Sequence, residues 1–175
     1  DYNILSSGAN VYFLAQQWGN TVDHAESIDG GLTTVAVVPK SEVQKRSSSQ
    51  KGEFKTLLTN GKFQGNNVWE GEMQAQFGFA FAPLMHQEQR NRALVIGYGT
   101  GVTSKVFHDA GFRHLDIAEL SNDVVNMANK HFADVNGLVS QQSGVQMHVT
   151  DGRNLLLLTP TGYLYDVVSI ETSSI

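Results

Sequence analysis

The chain has 175 residues, 41% of them hydrophobic, with a formal net charge of -5 and no cysteine. That length suits one domain with a substantial core and a small appendage. The mild acidity gives no support to nucleic-acid binding, which needs a basic surface, and the lack of cysteine excludes disulfides and thiolate metal sites. The longest apolar stretch, 77–85, is far short of the roughly 20 residues that span a bilayer, and no signal peptide is visible. A cytoplasmic location is expected. The chain starts at Asp1 and stops at Ile175 just after a strand pattern, so it reads as an excised piece of a longer protein.

Residues 1–25 hold one apolar cluster, Val11 to Leu14, with no assignable role. Residues 32–38 read as a strand from their β-branched content, and the polar, Ser- and Lys-rich 39–53 as a loop. A second strand follows at 54–58. Asn60-Gly61 then signals a hairpin, with Lys62 to Gln64 as the returning strand. The first 65 residues therefore form a small antiparallel β module, and 66–175 a second unit. Residues 70–86 predict a helix with Met73, Phe77, Phe81 and Leu84 along one stripe.

From there strands alternate with helices. Strand 93–97 leads to helix 100–110, which Gly111 stops. Strand 114–119 leads to helix 122–133, with Ser121 as N-cap and Val124, Val125, Ala128 and Phe132 on the buried face. Strand 145–149 leads to a helical turn at 152–158, and strand 164–170 ends the series. This alternation predicts an α/β fold, a Rossmann-like parallel sheet of the methyltransferase type with helices on both faces. Four parallel strands are visible, so the sheet reads as cut short after its fourth strand.

The chemistry gathers at the ends of these strands. ALVIGYGTG closes the first of them with Gly97, Gly99 and Gly101 at alternate positions. The bland alternative is a turn that needs glycine for geometry alone. Glu119 ends the next strand 22 residues after Gly97, the layout of a nucleotide-binding βαβ unit, whose acid holds ribose hydroxyls. The loop lacks the last glycine of the dinucleotide fingerprint. Asp151-Gly152 ends the third strand, where a carboxylate meets the exocyclic amine of an adenine, and Glu171 ends the fourth. One sugar acid and one base acid point to a mononucleoside such as an adenosyl sulfonium compound. The six histidines show no metal-ligand spacing, so no metal is expected.

The run ALVIGYGTG, LDIAEL, VTDGRN, YDVVSIE resembles the spermidine synthase family of aminopropyltransferases. The LLTNGKFQ hairpin and the GEMQAQF helix fit the same pattern upstream. The resemblance covers roughly residues 25–175. It is nearest to spermidine-synthase-like domains that some bacteria fuse to multi-span membrane segments. It implies decarboxylated S-adenosylmethionine, S-adenosylmethionine or methylthioadenosine as the bound nucleoside, a polyamine as second substrate, and a homo-oligomer. By the same resemblance Gly97, Gly99, Thr100 and Gly101 belong to the loop under the methionine-derived tail. Glu119 takes the ribose hydroxyls, and Asp151 the adenine amine with Gly152 beside it. Gln64 falls near the substrate cleft, its alternative being a plain hairpin residue. Glu171 falls where the family has its catalytic Asp, its alternative being a solvated strand-end acid. The implied strand order is 3-2-1-4.

The departures fall on the amine side. Thr100 stands where the family's glycine loop carries an Asp, Ser174 where its last strand has a second acid, and Ile175 where it has Pro. Glu70-Gly71 replaces a Tyr-Gln pair. A diamine needs opposite charge in a partly dry site. The resemblance therefore implies an aminopropyltransferase whose amine site has diverged. A class I methyltransferase and a non-catalytic nucleoside-binding domain are the alternatives.

Overall fold

The computed structural model describes the backbone of residues 24–27 and 34–39, and residues 55–171 apart from the side chains at 70 and 71. The apolar cluster at 11–14, most of the expected loop at 39–53, and Ser174 and Ile175 lie outside the described residues.

Two four-stranded sheets are present. The first is an antiparallel meander of β1 (His24–Ser27), β2 (Thr34–Pro39), β3 (Lys55–Thr59) and β4 (Lys62–Asn66). The Asn60-Gly61 turn joins β3 to β4 as predicted, with both residues at positive φ. Strand β1 was not anticipated, because HAES has too little β-branched or apolar content to announce itself.

A wide π-type turn, Trp69–Met73, leads into α1 (Gln74–Leu84). The expected stripe holds at Met73 and at Leu84, which packs against the core, and is corrected between them. Met73, Gln76 and Ala80 are the buried positions, whereas Phe81 is 59% exposed. Phenylalanine at 77, 79 and 81 makes the helix apolar all round, so periodicity selects no face. The inward face is the one with the small Ala80, which lets α1 approach the next helix closely.

The second sheet is parallel, built from β5 (Arg92–Ile96), β6 (His114–Glu119), β7 (Val145–Val149) and β8 (Val167–Ile170). Its order, β7-β6-β5-β8, is the expected 3-2-1-4. Strand β8 is shorter than expected. Leu164 is exposed, and the Tyr163 and Tyr165 hydroxyls turn aside to donate to Asp116 Oδ2 at 3.2 and 3.1 Å. The connecting helices are α2 (Val102–Asp109), α3 (Asn122–His131), the single turn α4 (Ala133–Asn136) and α5 (Gly152–Leu158). Ser121 caps α3, accepting from the Val124 amide at 3.4 Å.

Helices α1, α2 and α3 cover one sheet face. Val95, Leu115 and Ile117 there meet Phe107, Phe112 and Ala128 in the main core. The opposite face carries α5 close against Ile96 and leaves Val168 and Ile170 about half exposed. A second cluster, Leu57 with Val124, Met127 and Phe132, seats the antiparallel sheet on α3. This contact brings the β3–β4 hairpin over the carboxyl ends of the parallel strands. Among the described residues no helix is long and apolar enough to cross a membrane.

Candidate active site

A cleft of about 440 Å³ opens at the carboxyl ends of all four parallel strands. Open α/β sheets bind ligands at this end. Gln64, Gly97, Gly99, Glu119, Asp151, Gly152 and Glu171 all line it. Thus the hairpin, the glycine loop and three strand ends converge on one site.

The glycine loop is held from both sides. Gly97 donates its N–H to the Ala118 carbonyl at 2.8 Å and sits at φ +95°. A Cβ there would lie 2.6 Å from the Glu171 carbonyl oxygen, so only glycine allows β8 to end this close. Tyr98 turns inward and is fully buried, its hydroxyl donating to Asn129 Oδ1 at 3.0 Å. It anchors the loop on α3. Gly152 serves packing: a Cβ at that position would overlap the Ile96 side chain, so α5 starts hard against β5.

Glu119 is fixed by backbone donors. Its Oε2 accepts from the Tyr98 N–H at 2.9 Å and its Oε1 from the Ser121 N–H at 3.0 Å. Asp151 caps α5, with Oδ1 accepting from the amides of Arg153 at 2.9 Å and Asn154 at 3.1 Å. Each carboxylate therefore has a set orientation at the cleft wall, with acceptor capacity left for a ligand.

Glu171 is treated differently. Its backbone N–H continues the sheet by donating to the Ile96 carbonyl at 2.8 Å. Its Oε1 is 3.1 Å from Thr103 Oγ1, while Oε2 is buried with no hydrogen-bond partner among the described residues. Burial pushes this carboxyl up to about 8; Thr103 opposes the shift, and the nearby charges of Glu72 and Glu119 add to it.

Thr100 and Gly101 do not line the cleft, in contrast to the expected role of the whole loop. Thr100 is fully buried, and its hydroxyl donates to Gln76 Oε1 at 2.9 Å, turned away toward α1. Gly101 caps the start of α2, where a Cβ would lie 2.8 Å from the Tyr98 ring and 2.9 Å from Asn136 Cβ. Glu72 was missed. It lies in the quoted GEMQAQF segment, but it stands before a helix rather than at a strand end, so the strand-end logic never reached it. Phe79 and Ile170 supply an apolar wall beside it. Among the described residues, four carboxyl side chains and no Lys, Arg or His line the cleft, a composition that suits a cationic ligand. Among the described residues no group of three His, Cys, Asp or Glu has the arrangement to hold a metal ion.

No protein-family model matches the chain. It is 29% identical over 136 residues to spermidine synthase 1 of Hyoscyamus niger, an alignment covering 77% of this chain and 42% of that protein. It is equally similar to the spermidine synthase of Solanum lycopersicum, covering 77% of this chain and 39% of the relative. The chain thus spans less than half the length of the curated relatives it matches. In structure it superposes on the spermidine synthase of Thermotoga maritima with a TM-score of 0.71 at 14% identity, covering 89% of this chain and 48% of that one. A spermidine synthase structure in complex with the transition-state analogue AdoDATO gives the same score. In sequence and in fold, the chain is similar to spermidine synthases.

Proposed function

We propose that the cleft binds an adenosyl sulfonium compound or its thioether product and serves a spermidine synthase-like aminopropyl transfer. The observation that carries this reading is the convergence of Glu119, Asp151 and Glu171 on one cleft that, among the described residues, has no basic lining residue. Glu119 takes the ribose diol, Asp151 the adenine amine, and the acidic lining favours the sulfonium and the ammonium groups of a polyamine. The AdoDATO complex of a structural neighbour supports the nucleoside assignment.

In the transfer, a neutral amine nitrogen attacks the methylene next to sulfur. The new C–N bond forms as the C–S bond breaks, and its electron pair stays on sulfur in the departing methylthioadenosine. Glu171 receives the proton that the amine gives up. A carboxyl raised to about 8 is matched to that task near neutral pH. Glu72 and Glu171 are acids that remain at the amine end, but Thr100 and Ser174 replace the family's own, so putrescine is a poor acceptor. The buried outlook of Thr100 favours the second reading, a nucleoside-binding domain without transfer.

Mass spectrometry of products distinguishes these readings. Decarboxylated S-adenosylmethionine with a panel of amines is expected to give methylthioadenosine and an aminopropylated amine. Methylation from S-adenosylmethionine alone would replace this reading, and binding without any product would establish the second one. We also propose a cytoplasmic, self-associating protein. The exposed Val168 and Ile170 on an edge strand support association, and a monomer in light scattering at high concentration would refute it.

A further inference from the structure

Thr103, the second residue of α2, is fully buried. Its Oγ1 lies 2.9 Å from the Gln76 carbonyl oxygen and 3.1 Å from Glu171 Oε1. A hydroxyl has one proton to donate, and a carbonyl oxygen can only accept. If Thr103 donates to Gln76, its contact with Glu171 is a hydrogen bond only when Oε1 carries a proton and donates to Thr103. If Glu171 is ionised, Thr103 must turn its proton to Oε1. The Gln76 carbonyl then keeps only the ladder of α1, in which Gln76 is the third residue.

We propose that Thr103 is the positioning residue of Glu171: its hydroxyl turns between the Gln76 carbonyl and the Glu171 carboxyl, bracing the acid in one setting and the carboxylate in the other. The rotor provides Glu171 with a hydrogen bond in both protonation states without moving a heavy atom. Among the described residues its Oε2 has no hydrogen-bond partner and is buried behind the cleft wall that Glu171 helps to line. Two charged groups face Glu171 from the neighbouring elements, Glu72 from the turn before α1 and Glu119 from β6, and both oppose ionisation. The Thr103 hydroxyl is the named contact that favours it. Gln76 ties the device to the glycine loop, since its side chain also receives the Thr100 hydroxyl. The use of this device in catalysis rests on the reading of Glu171 as proton acceptor; the titration that tests it does not.

The experiment is a carbon-13 NMR titration of the ligand-free protein, labelled at glutamate carboxyls and glutamine carbonyls. Glu171→Gln identifies the Glu171 signal. Three results are expected. Thr103→Val raises the Glu171 midpoint by about one pH unit, the difference between a hydrogen bond to the carboxylate and one to the neutral carboxyl. Thr103→Ser restores the wild-type midpoint. In the unaltered protein the Gln76 carbonyl signal moves with the midpoint of Glu171. An unchanged midpoint in folded Thr103→Val, or a Thr103→Ser shift as large as that of valine, overturns the proposal. Should the valine variant not fold, the wild-type measurement decides alone: a Gln76 carbonyl that ignores the Glu171 titration overturns it. Failure of nucleoside binding or transfer would leave all these signals as expected, so the two readings fail separately.

Discussion

At one end of the cleft, Glu119 and Asp151 each accept two backbone N–H bonds. At the other, Glu171 has one shared hydroxyl and a buried oxygen without a partner among the described residues. The residue types are alike; the donors are not. Backbone amides at a strand end or helix start come with the fold, so they hold a carboxylate in one orientation at little cost. A carboxyl facing a hydroxyl and two other acids is left short of donors, and its proton affinity rises. The first arrangement suits recognition of neutral hydroxyls and an amine, the second proton transfer. This contrast teaches that the position of an acid at a strand end does not set its role; the local supply of N–H groups does.

The largest perturbation attacks the wall that both ends share. Gly97→Ala combines a strained φ of +95° with a Cβ 2.6 Å from the Glu171 carbonyl oxygen. It is expected to cost about 3 kcal/mol in urea unfolding, and a loss below about 1 kcal/mol would mean that β8 can retreat freely. Next comes the pH dependence of Glu171. Its folded value of about 8 lies above the ordinary 4.5, so the folded state keeps a proton that the unfolded chain gives up. This group therefore costs nothing below about pH 4.5. Stability then falls as pH rises to about 8, by roughly 1–3 kcal/mol after allowance for solvent screening. Glu171→Gln should remove that decline, and matching pH–stability curves for the two proteins would contradict the assignment. The smallest effect lies at the recognition end. Asp151→Ala loses the cap of α5 and about 0.5–2 kcal/mol, while Asp151→Asn, which can still accept from the same amides, stays within roughly 0.5 kcal/mol of wild type in thermal unfolding.

The sequence made the recognition end legible and left the proton-transfer end partly hidden, for a physical reason. Glu119 and Asp151 sit at fixed offsets from β-branched strands, and those offsets follow from strand length alone. The strand order and the Asn60-Gly61 hairpin were readable on similar local grounds. Thr103, Gln76 and Glu72 act through contacts between α1, α2 and β8, which no local pattern encodes. Thr100 misled for the same reason: loop membership placed it at the cleft, whereas a buried glutamine on α1 claims its hydroxyl. The facing of α1 was unreadable because phenylalanine occupies too many of its positions.

Calorimetry with methylthioadenosine tests nucleoside recognition at the strand ends most directly. Wild-type protein is expected to bind, and Glu119→Gln to weaken binding by roughly 1.5–3 kcal/mol, about 10- to 150-fold, because an amide cannot replace a carboxylate under the ribose diol. Glu171→Gln should leave that affinity nearly unchanged, since it lies at the other end of the cleft. No heat of binding to the folded wild-type protein at millimolar ligand would contradict the account.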